Sequence, residues 1–259
     1  MGMAMRELTL IGIGTGNADH LTAAGARAIN AADLILVPRK GADKADLADL
    51  RRQILAGVLT NPATRVVEFD LPRRDAANPD YQAGVKGWHD AVARAWTAAA
   101  ATAPEAQRVA LLVWGDPSLY DSSLRIAARL DPMPRLRVIP GITAIGALCA
   151  AHAIPLNAIG APFVVTTGRR LREDGFPPGC DNCVVMLDGE TSFAGLRPEG
   201  LTIWWGAYLG MEAEILDHGP LAQAGPRIVA ARAAARQRHG WIMDIYLLRR
   251  DTGVTAPSG

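Results

Sequence analysis

The sequence predicts an α/β protein with a parallel sheet and flanking helices in its first half, followed by a second domain of mixed α/β character. Three observations carry this reading. Short aliphatic runs alternate with segments of helical spacing from Leu8 to Ile139, the pattern of a parallel sheet covered by helices. Several of those runs stop on glycine or proline, residues that turn a chain sharply. From Pro162 onward the texture changes, with strand candidates following one another and less helix between them. The boundary is expected near Asn157–Ala161, giving domains 1–157 and 158–259.

Taken in order, Leu8–Ile13 reads as a strand that runs into the glycine turn Gly12-Ile-Gly14-Thr-Gly16. Thr22 is placed to cap a helix carrying Ala23, Ala26, Ile29 and Ala31. Leu34–Val37 is the next strand, with Pro38 as its expected end. Asp46–Leu59 reads as a helix, Arg65–Phe69 as a strand and Tyr81–Ala101 as a long Ala-rich helix. The loop between the last two carries Arg73 and Arg74, which face either a ligand or water. Val109–Val113 and Leu136–Ile139 are strands around a helix expected over Leu119–Leu130, and another helix begins at Ile142. In the second half, strands are expected at Pro162–Thr167, Asn182–Leu187, Leu201–Trp205, Arg227–Ala231 and Ile242–Leu248.

The 259 residues suffice for a sizeable core in two modest domains. Apolar residues make up 49% and charged residues 20%, an ordinary globular mixture. A formal net charge of +1 argues against a protein that binds nucleic acid by broad phosphate neutralisation. The aliphatic runs are strand-sized, so no membrane span is expected, and no basic-then-apolar export segment precedes the first strand. A cytoplasmic enzyme is the expectation. All but three of the 27 basic residues are Arg, whose planar forks grip carboxylates, although base composition accounts for most of that bias. Cys180-Asp-Asn-Cys183 has the spacing of zinc and thiol redox pairs, but the other obvious donors, Cys149 and His152, lie on a different expected helix. The reading is two reduced thiols and no metal.

Chemistry is expected at the turns. The first glycine turn has the strand, turn and helix order of a dinucleotide cradle. Asn17 stands where a third glycine is needed, however, and no acidic residue follows the second strand at Val37-Pro38-Arg39. More telling is Trp114-Gly115-Asp116-Pro117-Ser118-Leu119-Tyr120, directly after a buried-type strand, because ligands bind at the carboxyl ends of strands in open α/β sheets. Pro140-Gly141-Ile142-Thr143-Ala144 follows the next strand in the same way. The two turns are expected at one edge of one sheet.

In that order, Gly12-x-Gly14-x-Gly16 with Leu21-Thr22, Ala31-Ala-Asp33, Gly115-Asp116-Pro117 and Pro140-Gly-Ile-Thr-Ala144 resemble the tetrapyrrole methylase family. The later segments Thr166-Thr-Gly-Arg169-Arg170, Val185-Met186-Leu-Asp188-Gly, Trp204-Trp-Gly206-Ala207 and Gly240-Trp-Ile-Met-Asp244 extend the resemblance over nearly the whole chain. At the first turn Thr15 replaces the usual first proline, and Asn17-Ala18 the usual Asp-Pro.

The resemblance implies the two-domain class III methyltransferase fold with its active site in the cleft between the domains. It implies S-adenosyl-L-methionine as methyl donor, held by Gly115, Asp116, Leu119, Thr143, Ala144, Met186 and Ala207. The implied reaction is C-methylation of a precorrin, at C1 of precorrin-5 with loss of acetate, in corrin biosynthesis. The alternative is another precorrin position or a non-tetrapyrrole substrate. A homodimer is implied as well. Substrate carboxylates call for positive charge, for which Arg169 and Arg170 are the candidates, with Arg172 beside them and Arg232 and Arg236 as weaker ones. No catalytic residue is assigned. Asp188, Glu190 and Asp244 are each as readily structural acceptors as bases for acetate release.

Overall fold

The computed structural model describes residues 5–39, 45–72 and 81–251. The chain divides into two compact units, Met1–Thr143 and Ala144–Gly259. In the first, β1 (Glu7–Gly12), β2 (Leu34–Arg39), β3 (Arg65–Asp70), β4 (Arg108–Val113) and β5 (Arg135–Ile139) form one sheet in the order β3-β2-β4-β1-β5. Every pairing in it is parallel.

The aliphatic runs are uninterrupted because both faces are covered. Leu8, Leu10, Leu36, Val109 and Leu111 point to one face, against Trp96 of α3 (Tyr81–Ala100) and Ile126 of α4 (Ser123–Ala127). Ile11, Ile35, Val37 and Leu112 point to the other, against Ile29 of α1 (Ala23–Ala31) and Ile54 of α2 (Ala45–Val58).

Two expectations for this unit need correction. Pro38 does not end β2, which continues to Arg39 beside β3. Pairing with β4 has already stopped at Leu36, and the Arg39 carbonyl accepts from Leu71 N on the β3 side. Alternation therefore points the missing Pro38 donor to the side that β4 has left, where it breaks no ladder bond. The helix expected from Leu119 begins only at Ser123. Tyr120 takes a left-handed φ of 49°, and the Asp121 carboxylate accepts from Ser123 N at 2.6 Å, starting the helix there. Arg73 and Arg74 lie outside the described residues.

The second unit holds β6 (Phe163–Thr167), β7 (Asn182–Met186), β8 (Leu201–Ala207), β9 (Ile215–Pro220) and β10 (Asp244–Arg250), in the order β6-β7-β10-β8-β9. Only β6 and β7 are parallel to each other. One face packs Cys183, Val185, Ile203, Trp205 and Tyr246 against Phe193 and α7 (Leu221–His239). The other packs Val184, Ile245 and Leu247 against Leu148 of α5 (Ala144–Ala151).

The strand expected at Arg227–Ala231 is part of α7, and the missing strand is β9. A short Ile-Val pair suggested a strand, but the surrounding Ala and Arg are strong helix formers and carry the segment. β9 ends in Gly219-Pro220, which looks like a loop. An edge strand paired only with β8 tolerates proline at its last position.

Helix α5, placed before the boundary by the sequence reading, packs within the second unit. His152 Nε2 donates to the Trp205 carbonyl at 3.0 Å, and Arg249 Nη2 donates to the Pro155 carbonyl at 2.7 Å. These contacts tie the residues after α5 to the second sheet, and the units divide between Thr143 and Ala144 rather than near 157.

α1 follows the first glycine turn after a single 3-10 turn at Ala18–His20, with the Thr22 hydroxyl accepting from Gly25 N at 3.0 Å. Thr22→Ala is expected to lower stability by about 1 kcal/mol. The check is a shift of the denaturant midpoint with no change in slope.

Candidate functional site

The turns after β1, β4 and β5 meet at the carboxyl edge of the first sheet. Ile13 N donates to the Val113 carbonyl at 2.9 Å, and Gly14 and Gly115 then exchange backbone hydrogen bonds of 3.2 and 2.8 Å. Gly141 packs against Gly115 and Gly12: a Cβ there would penetrate the Gly115 carbonyl oxygen, and one on Gly12 would lie 2.5 Å from Gly141 N. Glycine at 12 and 141 is therefore a condition of three backbones passing this closely.

Asp116 fastens the arrangement. Its Oδ1 accepts from Ser118 N at 2.8 Å and from the Ser118 hydroxyl at 2.5 Å, while Oδ2 accepts from Gly141 N at 2.9 Å. The side chain is buried. Burial alone would raise its carboxyl, but the bonds from the Ser118 hydroxyl and the Gly141 and Ser118 amides outweigh it and hold the group below the ordinary 3.8. Both oxygens are thus engaged within the protein. What Asp116 can offer a ligand is its backbone and the placement of its neighbours. A Cβ built on Gly115 meets nothing within 4 Å, so this turn borders open space, and Leu119 and Thr143 flank it half-buried. Backbone polar groups beside an open volume with a few apolar side chains fit the polar and apolar parts of an adenosyl donor.

In the second unit the parallel pair β6 and β7 ends in register, with Thr167 opposite Met186. Ala144 and Met186 pack against the same buried cluster around Leu148 and Val184. Ala207, the last residue of β8, is fully buried. Arg169 and Arg170 are exposed on the first turn of α6 (Gly168–Asp174), and Arg170 pairs with Asp174 at 3.3 Å.

The carboxylates considered for acid–base work are committed elsewhere. Asp188 accepts from Tyr246 Oη at 2.7 Å, Ser192 N at 2.6 Å, Ser192 Oγ at 2.8 Å and Glu190 N at 3.1 Å. Asp244 accepts from Arg232 Nε and Trp205 Nε1, each at 2.9 Å. Glu190 is exposed and pairs with Arg172. Arg232, a weaker ligand candidate from sequence, is buried in this network. Burial pushes the Cys183 thiol up to about 12 and raises Cys180 as well, so both stay protonated at neutral pH. Among the described residues no group of three or more His, Cys, Asp or Glu is placed to hold a metal ion.

Sequence reasoning missed the support beneath the first turn. His20 Nδ1 lies 3.0 Å from the Thr15 hydroxyl, and a Cβ on Gly14 would overlap His20 Cβ. Neither residue carries a pattern that announces this contact.

Two outcomes test the Asp116 fastening. A carboxyl depressed in the folded state contributes stability above its unfolded value and loses it as pH falls through the folded value. Wild type is therefore expected to lose stability below pH 3.8, and Asp116→Asn to be less stable at neutral pH with a flatter acid dependence. Denaturant midpoints taken between about pH 5 and pH 2 read both. Gly141→Ala is expected to destabilise by about 2–3 kcal/mol through overpacking against backbone that cannot yield, as read by calorimetry.

Comparison with known proteins places this arrangement. Residues 7–225 match the family described as Tetrapyrrole (Corrin/Porphyrin) Methylases. Over 251 residues the chain is 46% identical to a Sinorhizobium precorrin-6A synthase [deacetylating], covering 95% of this chain and 96% of the relative. It is also similar to the crystal structure of a cobalamin synthesis related protein, CobF, from Corynebacterium diphtheriae. That similarity has a TM-score of 0.79 at 38% identity and covers 95% of this chain and 99% of the other. Uroporphyrin-III C-methyl transferase from Thermus thermophilus, complexed with S-adenyl homocysteine, shares the fold at a TM-score of 0.59 and 19% identity, covering 96% of this chain and all of the other. The match spans most of both sheets and every turn described above: the chain belongs to the tetrapyrrole (corrin/porphyrin) methylases.

Proposed function

We propose that the chain is an S-adenosylmethionine-dependent C-methyltransferase of corrin biosynthesis, converting precorrin-5 to precorrin-6A by methylation at C1 with release of acetate. The observation that carries this reading is the 46% identity, over 95% of the chain, to the deacetylating precorrin-6A synthase.

S-adenosylmethionine, when bound, supplies an electrophilic methyl group on a sulfonium. Gly115, Asp116, Leu119 and Thr143 in the first unit, and Ala144, Met186 and Ala207 in the second, are its proposed contacts. The Gly115 and Thr143 turns orient the donor through backbone groups, and Leu119 and Met186 give it apolar walls. An electron-rich macrocycle carbon attacks a sulfonium methyl directly and S-adenosylhomocysteine leaves, so alignment suffices for that step without a strong base; release of the acetyl group as acetate then consumes one water, which adds to its carbonyl as the carbon–carbon bond breaks. Asp116, Asp188 and Asp244, each held in hydrogen bonds within the protein, are consistent with a methyl transfer that needs no strong base. Arg169 and Arg170 answer carboxylates of the substrate. A cytoplasmic homodimer that binds neither nucleic acid nor membrane completes the proposal. The near-neutral charge speaks against nucleic acid as a partner, and among the described residues no helix is long and apolar enough to cross a bilayer.

The test is mass spectrometry of the product formed from precorrin-5 and S-adenosylmethionine. One methyl gained with one acetyl lost is expected, whereas methylation with the acetyl retained points to a different ring position and rejects the reading. Arg169→Ala and Arg170→Ala are each expected to raise KM for the precorrin about three- to tenfold, as loss of a charge-assisted contact does. The affinity for S-adenosylhomocysteine, measured by titration calorimetry, is expected to stay unchanged.

A further inference from the structure

The turn that follows β7 is held by an investment of buried charge that the methyl transfer itself does not use. Leu187 and Thr191 adopt left-handed φ values of 54° and 55°, a conformation unfavourable for a non-glycine residue. Leu187 is also 66% exposed, a large apolar side chain displayed rather than packed. Between them, Asp188 is buried and bonded to Tyr246 of β10 and to Ser192. Its carboxylate occupies the space a Cβ on Gly168 would need, so α6 begins against it.

Arg232 reaches the same turn from α7. Nη2 donates to the Asp188 carbonyl at 2.6 Å and Nη1 to the Gly189 carbonyl at 3.4 Å, while Nε donates to Asp244 at 2.9 Å. The side chain is 9% exposed and that of Asp244 6%. A buried ion pair is a weak source of stability, because desolvation cancels most of its attraction. What this one delivers is geometry: the guanidinium bonds two successive carbonyls, those of Asp188 and Gly189, two and three residues past Met186.

We propose that Arg232 is a positioning residue for the methyl donor, holding the Leu187–Gly189 backbone past the left-handed Leu187 so that the Met186 end of β7 is preformed for binding. This rests on the reading that Met186 contacts the donor. Arg232 touches neither donor nor substrate; it acts through the turn.

The test compares Arg232→Lys and Tyr246→Phe with wild type, using S-adenosylhomocysteine as the probe in titration calorimetry, together with steady-state kinetics and thermal melting. Lysine keeps the positive charge beside Asp244 but cannot bridge both carbonyls. The expected result is a rise of about tenfold in the probe's Kd and in KM for S-adenosylmethionine, equivalent to about 1.4 kcal/mol. At saturating donor, kcat and the KM for the precorrin stay within about twofold of wild type, since positioning of the donor site changes binding and not the aligned step. Tyr246→Phe removes one bond to Asp188 and leaves shape intact, and a smaller loss of affinity in the same direction is expected.

A folded Arg232→Lys protein that binds the probe as wild type does overturns the inference and leaves Arg232 with a structural role alone. Should Arg232→Lys fail to fold, unchanged probe affinity in Tyr246→Phe overturns it instead. Wild type that binds no probe at all removes the functional reading and this inference with it, whereas wild-type binding with unaffected variants removes only the inference.

Discussion

The first unit depends on one close approach: the backbones at Gly12, Gly115 and Gly141 pass within contact distance of one another, and the Asp116 carboxylate joins two of them. Much follows from that constraint. β1 must lie between β4 and β5, in the register that brings Gly12 opposite Val113. No side chain is tolerated at Gly12 or Gly141. The space left in front of Gly115 is the geometrical consequence, and it lies at the carboxyl ends of the strands, where an open α/β sheet presents its ligands.

The second unit repeats the device with different partners. Asp116 Oδ1 accepts from Ser118 N and Asp188 Oδ1 from Glu190 N, in each case the amide two residues ahead, so both aspartates fold the chain into an Asx turn just past a strand. Both carboxyls are held below their ordinary value, because the hydrogen bonds that stabilise the anion outweigh the effect of burial. A carboxylate fixed in this way is a poor proton carrier and a good clamp. Methyl transfer from a sulfonium rewards the clamp, since its rate rests on alignment.

The parts of the fold that were legible in the sequence are those where local chemistry and tertiary packing agree. β1, β4 and β5 read correctly because their aliphatic runs are bounded by turn residues. α1 read correctly because Thr22 caps it as its spacing implies. Helix α4 was overextended because the Asp121 bond to Ser123 and the left-handed Tyr120 cannot be seen in apolar periodicity. β9 was missed because an edge strand needs only alternate burial, and Asp217, Gly219 and Pro220 conceal it. At the candidate site, the convergence of the Gly115 and Gly141 turns was foreseeable from two glycine-bearing strand ends. That Asp116 would spend both oxygens on its neighbours, and that Arg232 would be buried, depended on residues distant in sequence. No spacing encodes such contacts.

The most direct measurement of the central claim is a crystal structure of the chain with S-adenosylhomocysteine. The account predicts the nucleoside against the backbone of the Gly115 and Thr143 turns, with Asp116 still bonded to Gly141 N and Ser118. A ligand bound away from these turns, or one that takes the Asp116 carboxylate from Gly141, would contradict it.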